Sequence, residues 1–266
     1  MRFDIVIPAH NEEHRIDRTL QAYRSRCTDT EFRFLVALDH CTDRTARVVA
    51  DHAHEDPRVD ALEFPKLGKG GVLIETFRRC AGDVIGFVDA DCATPPTELL
   101  RLLDVARHRD VAIASRRHAA SVVPGRRPLL RRLTSAGFAF GIQRLFRLPF
   151  TDPQCGAKAM RRDVVEQCLP YISSRDFLFD VDLLVVAGQL GYDVAEVPTV
   201  WIDQPGSRLH PVRDTWRMAA SSLRLWLHHR LLPVDAEPGS ELPTAPAAVE
   251  SDHTVIELRE GERASA

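Results

Sequence analysis

Short apolar stretches alternate with longer stretches of helical periodicity over the first 115 residues. The apolar stretches have the length of strands and occupy residues 3–7, 32–38, 59–64, 83–88 and 111–115. Between them, apolar residues recur at three- and four-residue spacing, which predicts helices over 14–27, 42–54, 69–80 and 95–107. Strands that alternate with helices form a mostly parallel sheet with helices on its faces. The pattern therefore predicts a Rossmann-like α/β fold, with ligands bound at the carboxyl ends of the strands.

The alternation stops after residue 116. A loop is predicted over 119–128, an arginine-rich amphipathic helix over 129–147 and a polar loop over 151–156. Further helices are predicted from 163 and over 176–190, followed by a strand over 194–201 and an amphipathic helix over 212–232. Pro, Ala, Glu and Ser dominate from there onward. We therefore expect one domain over 1–232, ending in an amphipathic helix, and a disordered acidic tail over 233–266.

The charge is distributed unevenly along the chain. The whole sequence has 35 basic and 38 acidic side chains, a net charge of −3. The segment 107–147 has ten arginines and a single acidic residue, whereas the residues from 231 onward are predominantly acidic. A concentrated positive charge favours phosphate-bearing ligands, and a solvated basic face explains it equally well. No motif typical of nucleic-acid binding accompanies the arginines, so we expect no nucleic-acid partner.

Several classes of protein do not fit the sequence. No apolar run approaches the length that crosses a bilayer, and the N-terminal pattern is not that of a signal peptide. The six cysteines form no C-x-x-C pair and no Cys/His ligand pattern. We therefore expect a cytoplasmic protein with reduced thiols.

Two carboxylates follow the fourth predicted strand. Asp89 and Asp91 stand two residues apart, directly after the apolar run 84–88. Hard oxygen ligands at a strand end suit Mg²⁺ or Mn²⁺, which in turn binds phosphate oxygens. A turn that caps the next helix is the alternative, because a D-x-D pattern alone is common.

The surrounding segments form an ordered series of motifs, each placed at the end of a predicted element. They are Pro8-Ala9-His10-Asn11-Glu12, Asp39-His40-Cys41-Thr42-Asp43, Gly68-Lys69-Gly70, Asp89-Ala90-Asp91, Ala114-Ser115-Arg116, Asp152-Pro153-Gln154-Cys155-Gly156-Ala157-Lys158, Phe179-Asp180-Val181-Asp182-Leu183-Leu184, Glu196-Val197-Pro198 with Trp201, and Gly206-Ser207-Arg208. In this order and spacing the series resembles family 2 glycosyltransferases of the GT-A fold. The late motifs resemble those of the dolichyl- and polyprenyl-phosphate hexosyltransferases. The resemblance spans about residues 3–230.

The resemblance implies roles for residues on the donor side. Pro8, Ala9, Asn11 and Glu12 would line the nucleotide site, and Asp39 would accept a hydrogen bond from the base or cap the helix after Thr42. Lys69 would approach the nucleotide, with a purely structural turn as the alternative. Asp89 would hold the ribose or the metal, Asp91 would act as a direct metal ligand and catalytic residue, and Gln154 would contact a sugar hydroxyl. The ion, Mg²⁺ or Mn²⁺, would neutralise the departing diphosphate.

The acceptor side follows from the same resemblance. A lipid phosphate is already ionised near neutral pH and needs cations more than a base, and arginine offers it a bidentate fork. Arg116, Arg131, Ser135 and Arg208 would bind that phosphate. Asp152, assigned as the second catalytic residue, would serve as a base or orient arginine side chains.

The resulting expectation is an inverting transferase that moves a hexose, glucose in preference to mannose, from a nucleotide sugar to a polyprenyl phosphate. The donor would be UDP-glucose or GDP-mannose. The enzyme would contact the cytoplasmic membrane face peripherally through the helix over 212–232, which has packing on the domain as its alternative role, and a membrane-protein partner stays open. The alternative functions are a family 2 enzyme with a soluble acceptor and a non-catalytic nucleotide-sugar-binding subunit.

Overall fold

Seven strands and eight helices make up the computed structural model, which describes residues 1–124, 129–204 and 211–231, without the side chains of 129–134 and 211–217. The strands are β1 (Phe3–Ala9), β2 (Phe32–Asp39), β3 (Val59–Phe64), β4 (Val84–Val88), β5 (Val111–Ser115), β6 (Ala157–Arg161) and β7 (Val194–Pro198). The helices are α1 (Ile16–Arg26), α2 (Thr45–Glu55), α3 (Gly68–Phe77), α4 (Pro96–His108), α5 (Leu129–Phe146), α6 (Arg162–Cys168), α7 (Phe179–Gln189) and α8 (Pro211–Leu231).

The strands form one sheet in the order β3-β2-β1-β4-β6-β5-β7. All neighbouring pairs are parallel except those made by β6, which runs antiparallel to both β4 and β5. The predicted mostly parallel α/β sheet is thus confirmed. The sequence analysis missed β6 as a strand, because Lys158 stands at its second position, where a buried strand normally carries an apolar residue.

The alternation of side chains in the central strands builds a core on each face of the sheet. Ile5 and Ile7 face a cluster that includes side chains of α1, α2 and α4. Val6, between them, faces a second cluster built with α3, α6 and α7, to which α8 contributes Leu225. The central strands are therefore covered on both faces, as is typical of parallel sheets, whereas the edge strand β3 exposes Ala61 and Glu63.

Two predicted helices begin later than the apolar pattern suggested. α2 begins at Thr45, where the carboxylate of Asp43 accepts the Thr45 N–H at 3.0 Å. α7 begins at Phe179, since Asp176 accepts the N–H of Leu178 at 2.8 Å and so forms a turn before the helix. In both cases a short acidic side chain that was counted within the helix lies before it and accepts the backbone N–H of the residue two positions later, at the start of the helix.

The two long C-terminal helices lie close to their predicted bounds. α5 and α8 contact each other, and Leu225 of α8 is buried against the sheet layer. Within the described residues, no helix is long and apolar enough to cross a membrane. The tail predicted over 233–266 lies outside the described residues.

Candidate active site

The carboxyl ends of β1, β2 and β4 lie side by side, because β1 pairs with both of the other strands in parallel. Just beyond these ends, Asn11, His40 and Cys92 have positive φ angles of 56°, 48° and 57°. Left-handed backbone is uncommon outside glycine and turns the chain sharply. The three turns leave the polar residues that follow each strand at the same edge of the sheet, and we call the region between them the crevice.

Asp89 and Asp91 enter this crevice at the end of β4. Asp89 lies so close to Gly156 that a Cβ atom there would stand 1.8 Å from Asp89 Oδ2, so any larger residue at this position would have to displace the Asp89 carboxylate. Asp91 accepts the N–H of Ala93 at 2.9 Å. Burial, and then the charge of Asp89, raise the pKa of Asp91 above its ordinary value. Two carboxylates thus share a partly buried place where their charges repel.

A lysine connects this pair to the interior. Lys69 Nζ lies 2.9 Å from Asp89 Oδ1 and 3.3 Å from Asp180 Oδ2. Burial by itself lowers the pKa of Lys69, but Asp180 and Asp89 outweigh it and raise that pKa above the ordinary value. Asp180 also binds the fully buried Lys158, at 2.6 Å. Carboxylates and ammonium groups therefore alternate from Asp89 through Lys69 and Asp180 to Lys158.

The carboxylate pair fits a divalent cation. Mg²⁺ is commonly held by one or two carboxylates, with water and substrate phosphates completing its coordination. Asp89 and Asp91 supply two such ligands, and burial together with the charge of Asp89 raises the pKa of Asp91, so a bound cation would stabilise both carboxylates. Among the described residues there is no group of three or more His, Cys, Asp or Glu side chains that would form a closed metal site. The residues therefore suit an ion that is shared with a bound diphosphate.

The residues predicted to line the nucleotide site come together around the ends of β1 and β2. Pro8 and Ala9 are buried at the end of β1. Asn11 Oδ1 accepts the N–H of Thr42 at 2.8 Å, which joins the two loops, and the Glu12 carboxylate forms a two-pronged pair with Arg15. These contacts fix the walls of the crevice between the two strands.

Asp39 has a structural role that differs from the predicted one. Its carboxylate accepts the N–H groups of Leu67 and Gly68, at 2.7 and 3.1 Å, at the start of α3. The suggestion that it caps the helix after Thr42 was therefore wrong, because the helix that it caps is α3. Asp39 thereby holds the turn that presents Lys69, and its contact with a base stays a prediction.

Among the residues predicted for the acceptor, Asp152 and Arg116 form a two-pronged ion pair in which Asp152 is buried and Arg116 is partly exposed. Asp152 accepts bonds from Arg116 Nε and Nη2, at 2.6 and 2.8 Å, and from the Arg116 backbone N–H at 3.0 Å. Burial raises the pKa of Asp152, but Arg116 outweighs it and holds that pKa below the ordinary value. The guanidinium stacks on Trp201, 4.9 Å from its ring. Of the two predicted roles for Asp152, the geometry favours orienting the arginine.

Glu196, of the motif Glu196-Val197-Pro198, supports the ion pair of Asp152 and Arg116. The buried Glu196 accepts the backbone N–H groups of Thr151 and Asp152, at 2.9 and 3.1 Å. Ser135, on α5, contacts the residue next to Arg116: Arg117 Nη2 donates to the Ser135 carbonyl at 2.8 Å and to its hydroxyl at 3.2 Å. Arg117 follows Arg116 directly, so α5 is tied to the segment that presents Arg116.

Three further predicted residues are placed less completely. Gln154 is half-buried in the loop between Asp152 and Gly156. Arg131 belongs to α5, but its side chain lies outside the described part of the structure. Arg208 lies outside the described residues altogether.

The roles of Asp180 and Lys158 were not predicted from the sequence. Both residues stand inside motifs quoted above, where their charges are visible. Their burial is not visible there, since an acidic residue near a helix start and a lysine after a loop are ordinarily solvated. The pairing of a lysine and an aspartate 22 residues apart depends on tertiary packing.

Comparisons with known proteins identify the family of the chain. The family model described as glycosyl transferase family 2 matches residues 4–169. Glycosyltransferase AglD of Haloferax volcanii is 32% identical over 84% of this chain, which spans only 36% of that relative's length. Dolichyl-phosphate beta-glucosyltransferase ALG5C of Trichomonas vaginalis is 28% identical, with 85% of this chain and 71% of the relative covered.

Another relative and a solved structure complete the comparison. Undecaprenyl-phosphate mannosyltransferase of Micrococcus luteus is 32% identical, with 77% of this chain and 85% of the relative covered. Glucosyl-3-phosphoglycerate synthase of Mycobacterium tuberculosis, crystallised with Mn²⁺, UDP and glucosyl-3-phosphoglycerate, superposes with a TM-score of 0.65 at 16% identity, covering 88% of this chain and 81% of that chain. This likeness supports the GT-A fold. Because the family model matches more than half of the chain and a relative of similar length is 32% identical, the chain belongs to glycosyl transferase family 2.

Proposed function

We propose that this family 2 glycosyltransferase moves a hexose from a nucleoside diphosphate sugar to a polyprenyl phosphate, with inversion at the anomeric carbon. Relatives named for glucosyl and for mannosyl transfer to dolichyl or undecaprenyl phosphate support the reaction class. We propose glucose in preference to mannose, because several of the relatives are named dolichyl-phosphate beta-glucosyltransferase. The donor is then UDP-glucose, with GDP-mannose as the competing choice.

The proposal rests mainly on the loop 152–156, which contacts Asp89 at one end and Arg116 at the other. At one end, Gly156 lies against the Asp89 carboxylate, and its carbonyl accepts the Asp89 N–H at 3.1 Å. At the other end, the Asp152 carboxylate accepts a hydrogen bond from Arg116 Nε at 2.6 Å. This short loop thereby connects the guanidinium of Arg116 with the carboxylates that suit a metal-bound diphosphate. A phosphate held by the guanidinium would face the sugar of the donor.

The residues divide the chemistry between them. An oxygen of the acceptor phosphate attacks the anomeric carbon while the bond from that carbon to the diphosphate breaks, and one such displacement inverts the centre. The phosphate is already ionised, so the step needs no proton transfer from it. Arg116 binds and orients this anion, and Asp152, with its lowered pKa, holds Arg116 in place and is a poor base.

The donor side stabilises the leaving group. Asp89 and Asp91 would hold Mg²⁺ or Mn²⁺, which when bound neutralises charge that develops on the departing diphosphate. Lys69 fixes the position of Asp89 through its ammonium group. Asp39 holds the turn from which Lys69 projects. Asn11, Glu12, Pro8 and Ala9 form the wall against which the nucleoside lies.

We further propose that α8 rests on the cytoplasmic face of an anionic membrane. Leu223, Leu227 and Leu231 lie at four-residue spacing and are 53%, 43% and 75% exposed. Arg224 and Arg230 are exposed with them, and residues 218–231 contain no acidic side chain. The opposite face of α8 packs on the domain, so packing and membrane contact use different faces of the helix.

A transfer assay with a panel of donors and acceptors tests the reaction. Purified protein with Mn²⁺ or Mg²⁺ is given labelled UDP-glucose or GDP-mannose together with a short polyprenyl phosphate. We expect label in the organic phase, with UDP-glucose preferred. Label that enters only water-soluble phosphorylated acceptors would replace the lipid by a soluble acceptor. A chain that binds nucleotide sugar with no transfer to any acceptor would support the non-catalytic alternative.

Flotation with vesicles tests the membrane contact. We expect the wild-type chain to bind vesicles that contain phosphatidylglycerol, and the variant Leu223→Gln/Leu227→Gln to lose most of this binding. Ile202→Gln removes an exposed apolar side chain outside α8 and serves as the control. Equal binding of all three proteins would contradict a role for α8.

A further inference from the structure

A buried histidine–aspartate pair connects α8 to the middle of the domain. His229 Nε2 lies 2.6 Å from Asp182 Oδ1, and both residues are almost inaccessible to solvent. A carboxylate can only accept, so Nε2 donates to Asp182. Among the described residues, the other ring nitrogen of His229 has no hydrogen-bond partner, which leaves this bond as the polar anchor of the ring.

The second oxygen of Asp182 holds a loop. Oδ2 accepts the N–H groups of Ser173 and Ser174 at 2.8 and 2.6 Å, and the Ser173 hydroxyl at 3.2 Å. One carboxylate therefore fixes the histidine of α8 with one oxygen and the backbone of the segment before α7 with the other. Bonds to a buried carboxylate are among the stronger ones in proteins.

The same loop lies directly on the glycine-rich turn at the start of α3. A Cβ atom at Gly70 would stand 2.5 Å from the Ser174 carbonyl oxygen, and one at Gly68 would stand 2.6 Å from that of Arg175. The Gly71 N–H donates to the Arg175 carbonyl at 3.1 Å. Gly68 has a φ of 79°, so the turn depends on glycine for its shape as well as for this close approach.

Lys69 stands inside this turn, between Gly68 and Gly70. Its ammonium contacts Asp89 in the crevice, whereas its backbone lies in the segment pressed against residues 174 and 175. Asp180 and Asp182 thus act on the same turn from α7 by two routes. Asp180 binds the Lys69 ammonium directly, and Asp182 fixes the loop on which the backbone of the turn rests.

We propose that Asp182 and His229 are positioning residues for the donor site, which set the Lys69 turn by holding the 173–175 loop and tie its geometry to α8. Neither side chain touches the crevice. The inference deepens the proposed function, on which its kinetic arm rests. It assigns the packed face of α8 a role in donor binding that is separate from the exposed leucine face.

The experiment uses the full-length chain and compares substitutions at two adjacent histidines. His229→Phe keeps the ring volume and removes the donor, and His229→Gln keeps a donor at the reach of Nε2. His228→Phe is the matched control, because His228 is next to His229 on α8 and makes no contact with Asp182 that parallels the 2.6 Å bond. His229→Ala is a second way to remove the donor if the phenylalanine variant does not fold.

Hydrogen exchange of peptides covering 68–73 and 172–176 is measured first, with no substrate present. We expect exchange in both segments to be about tenfold faster in His229→Phe, with recovery in His229→Gln and no change in His228→Phe. Unchanged exchange in these segments, or equal acceleration by His228→Phe, would overturn the proposal.

Donor kinetics form the second arm. We expect His229→Phe to raise KM for the nucleotide sugar about tenfold with a smaller effect on KM for the lipid phosphate, and His229→Gln to restore it. An equal rise in both KM values would indicate general loosening and would contradict a positioning role. A wild-type chain without transferase activity would overturn the proposed function, while the exchange measurement still decides the role of the pair.

Discussion

Asp180 binds two lysines at a buried position, so its replacement by asparagine tests how the charges next to the crevice stabilise the fold. Asp180 is 2% exposed and Lys158 is 0% exposed. Burial raises the pKa of Asp180, but Lys158 and Lys69 outweigh it and lower that pKa below the ordinary value. Asp180→Asn keeps the size of the side chain and removes its charge. It would leave Lys158 as a buried cation without the charge of Asp180, held by neutral acceptors such as the Cys155 carbonyl at 2.8 Å.

The magnitude follows from the geometry. Breaking a buried ion pair from one side costs about 3–5 kcal/mol of folding free energy, because the other charge stays desolvated and unpaired. Lys158→Met should cost less, about 1–2 kcal/mol, because Asp180 would keep Lys69 at 3.3 Å and methionine fills the space of the lysine stem. The double variant has no unpaired buried lysine at 158. We therefore expect it to be about 2 kcal/mol more stable than Asp180→Asn alone.

Equilibrium urea unfolding, followed by tryptophan fluorescence and by circular dichroism, measures these differences. Asp163→Asn is the control, because Asp163 forms an exposed pair with Arg161 and its loss should cost at most about 1 kcal/mol. The reasoning would be refuted if Asp180→Asn cost no more than this control. It would also be refuted if Lys158→Met destabilised the Asp180→Asn protein as much as it destabilises the wild type.

Three further predictions concern the crevice. Gly156→Ala should weaken Mn²⁺-dependent nucleotide binding by at least about tenfold, because the new methyl group would displace Asp89; calorimetry checks this. Gly141→Ala is the control, because nothing lies within 4 Å of the added Cβ. It should leave binding unchanged and stabilise the fold by about 0.5–1 kcal/mol, which thermal melting checks. Since the pKa of Asp91 is raised and a metal ligand must be deprotonated, Mn²⁺ affinity should fall with decreasing pH at a higher pH than for an ordinary aspartate, and an unchanged affinity down to pH 4 would contradict this titration. Arg116→Lys should raise KM for the lipid phosphate about tenfold and leave KM for the donor nearly unchanged, because lysine cannot keep the two-pronged contact with Asp152 that orients the cation. An equal change in both constants would argue against an acceptor role.

The sequence predicted most of the sheet and the location of the site, because both follow from local pattern. The apolar runs over 3–7, 32–38 and 83–88 end within two residues of the observed strand ends at Ala9, Asp39 and Val88, and parallel pairing brings those ends together. These features need no knowledge of how distant side chains pack.

The features that the sequence analysis missed depend on long-range packing. β6 carries a lysine inside the sheet because Asp180, from a helix later in the chain, neutralises it. Asp39 caps α3 and not the helix that follows it in sequence, since the end of β2 lies beside the start of α3 in space. The pair of Asp182 with His229 joins residues 47 positions apart. Local periodicity has no information on such contacts.

Transfer from labelled UDP-glucose to a polyprenyl phosphate, measured side by side for the wild type and Asp91→Asn, tests the central claim most directly. We expect a labelled lipid from the wild type that requires Mn²⁺ or Mg²⁺. The variant, which loses one of the two carboxylates of the proposed metal site, should form this product at least about a hundredfold more slowly. Equal product from both proteins would contradict the assignment of Asp91 to catalysis. Absence of a lipid product from the wild type with both UDP-glucose and GDP-mannose would contradict the proposed reaction.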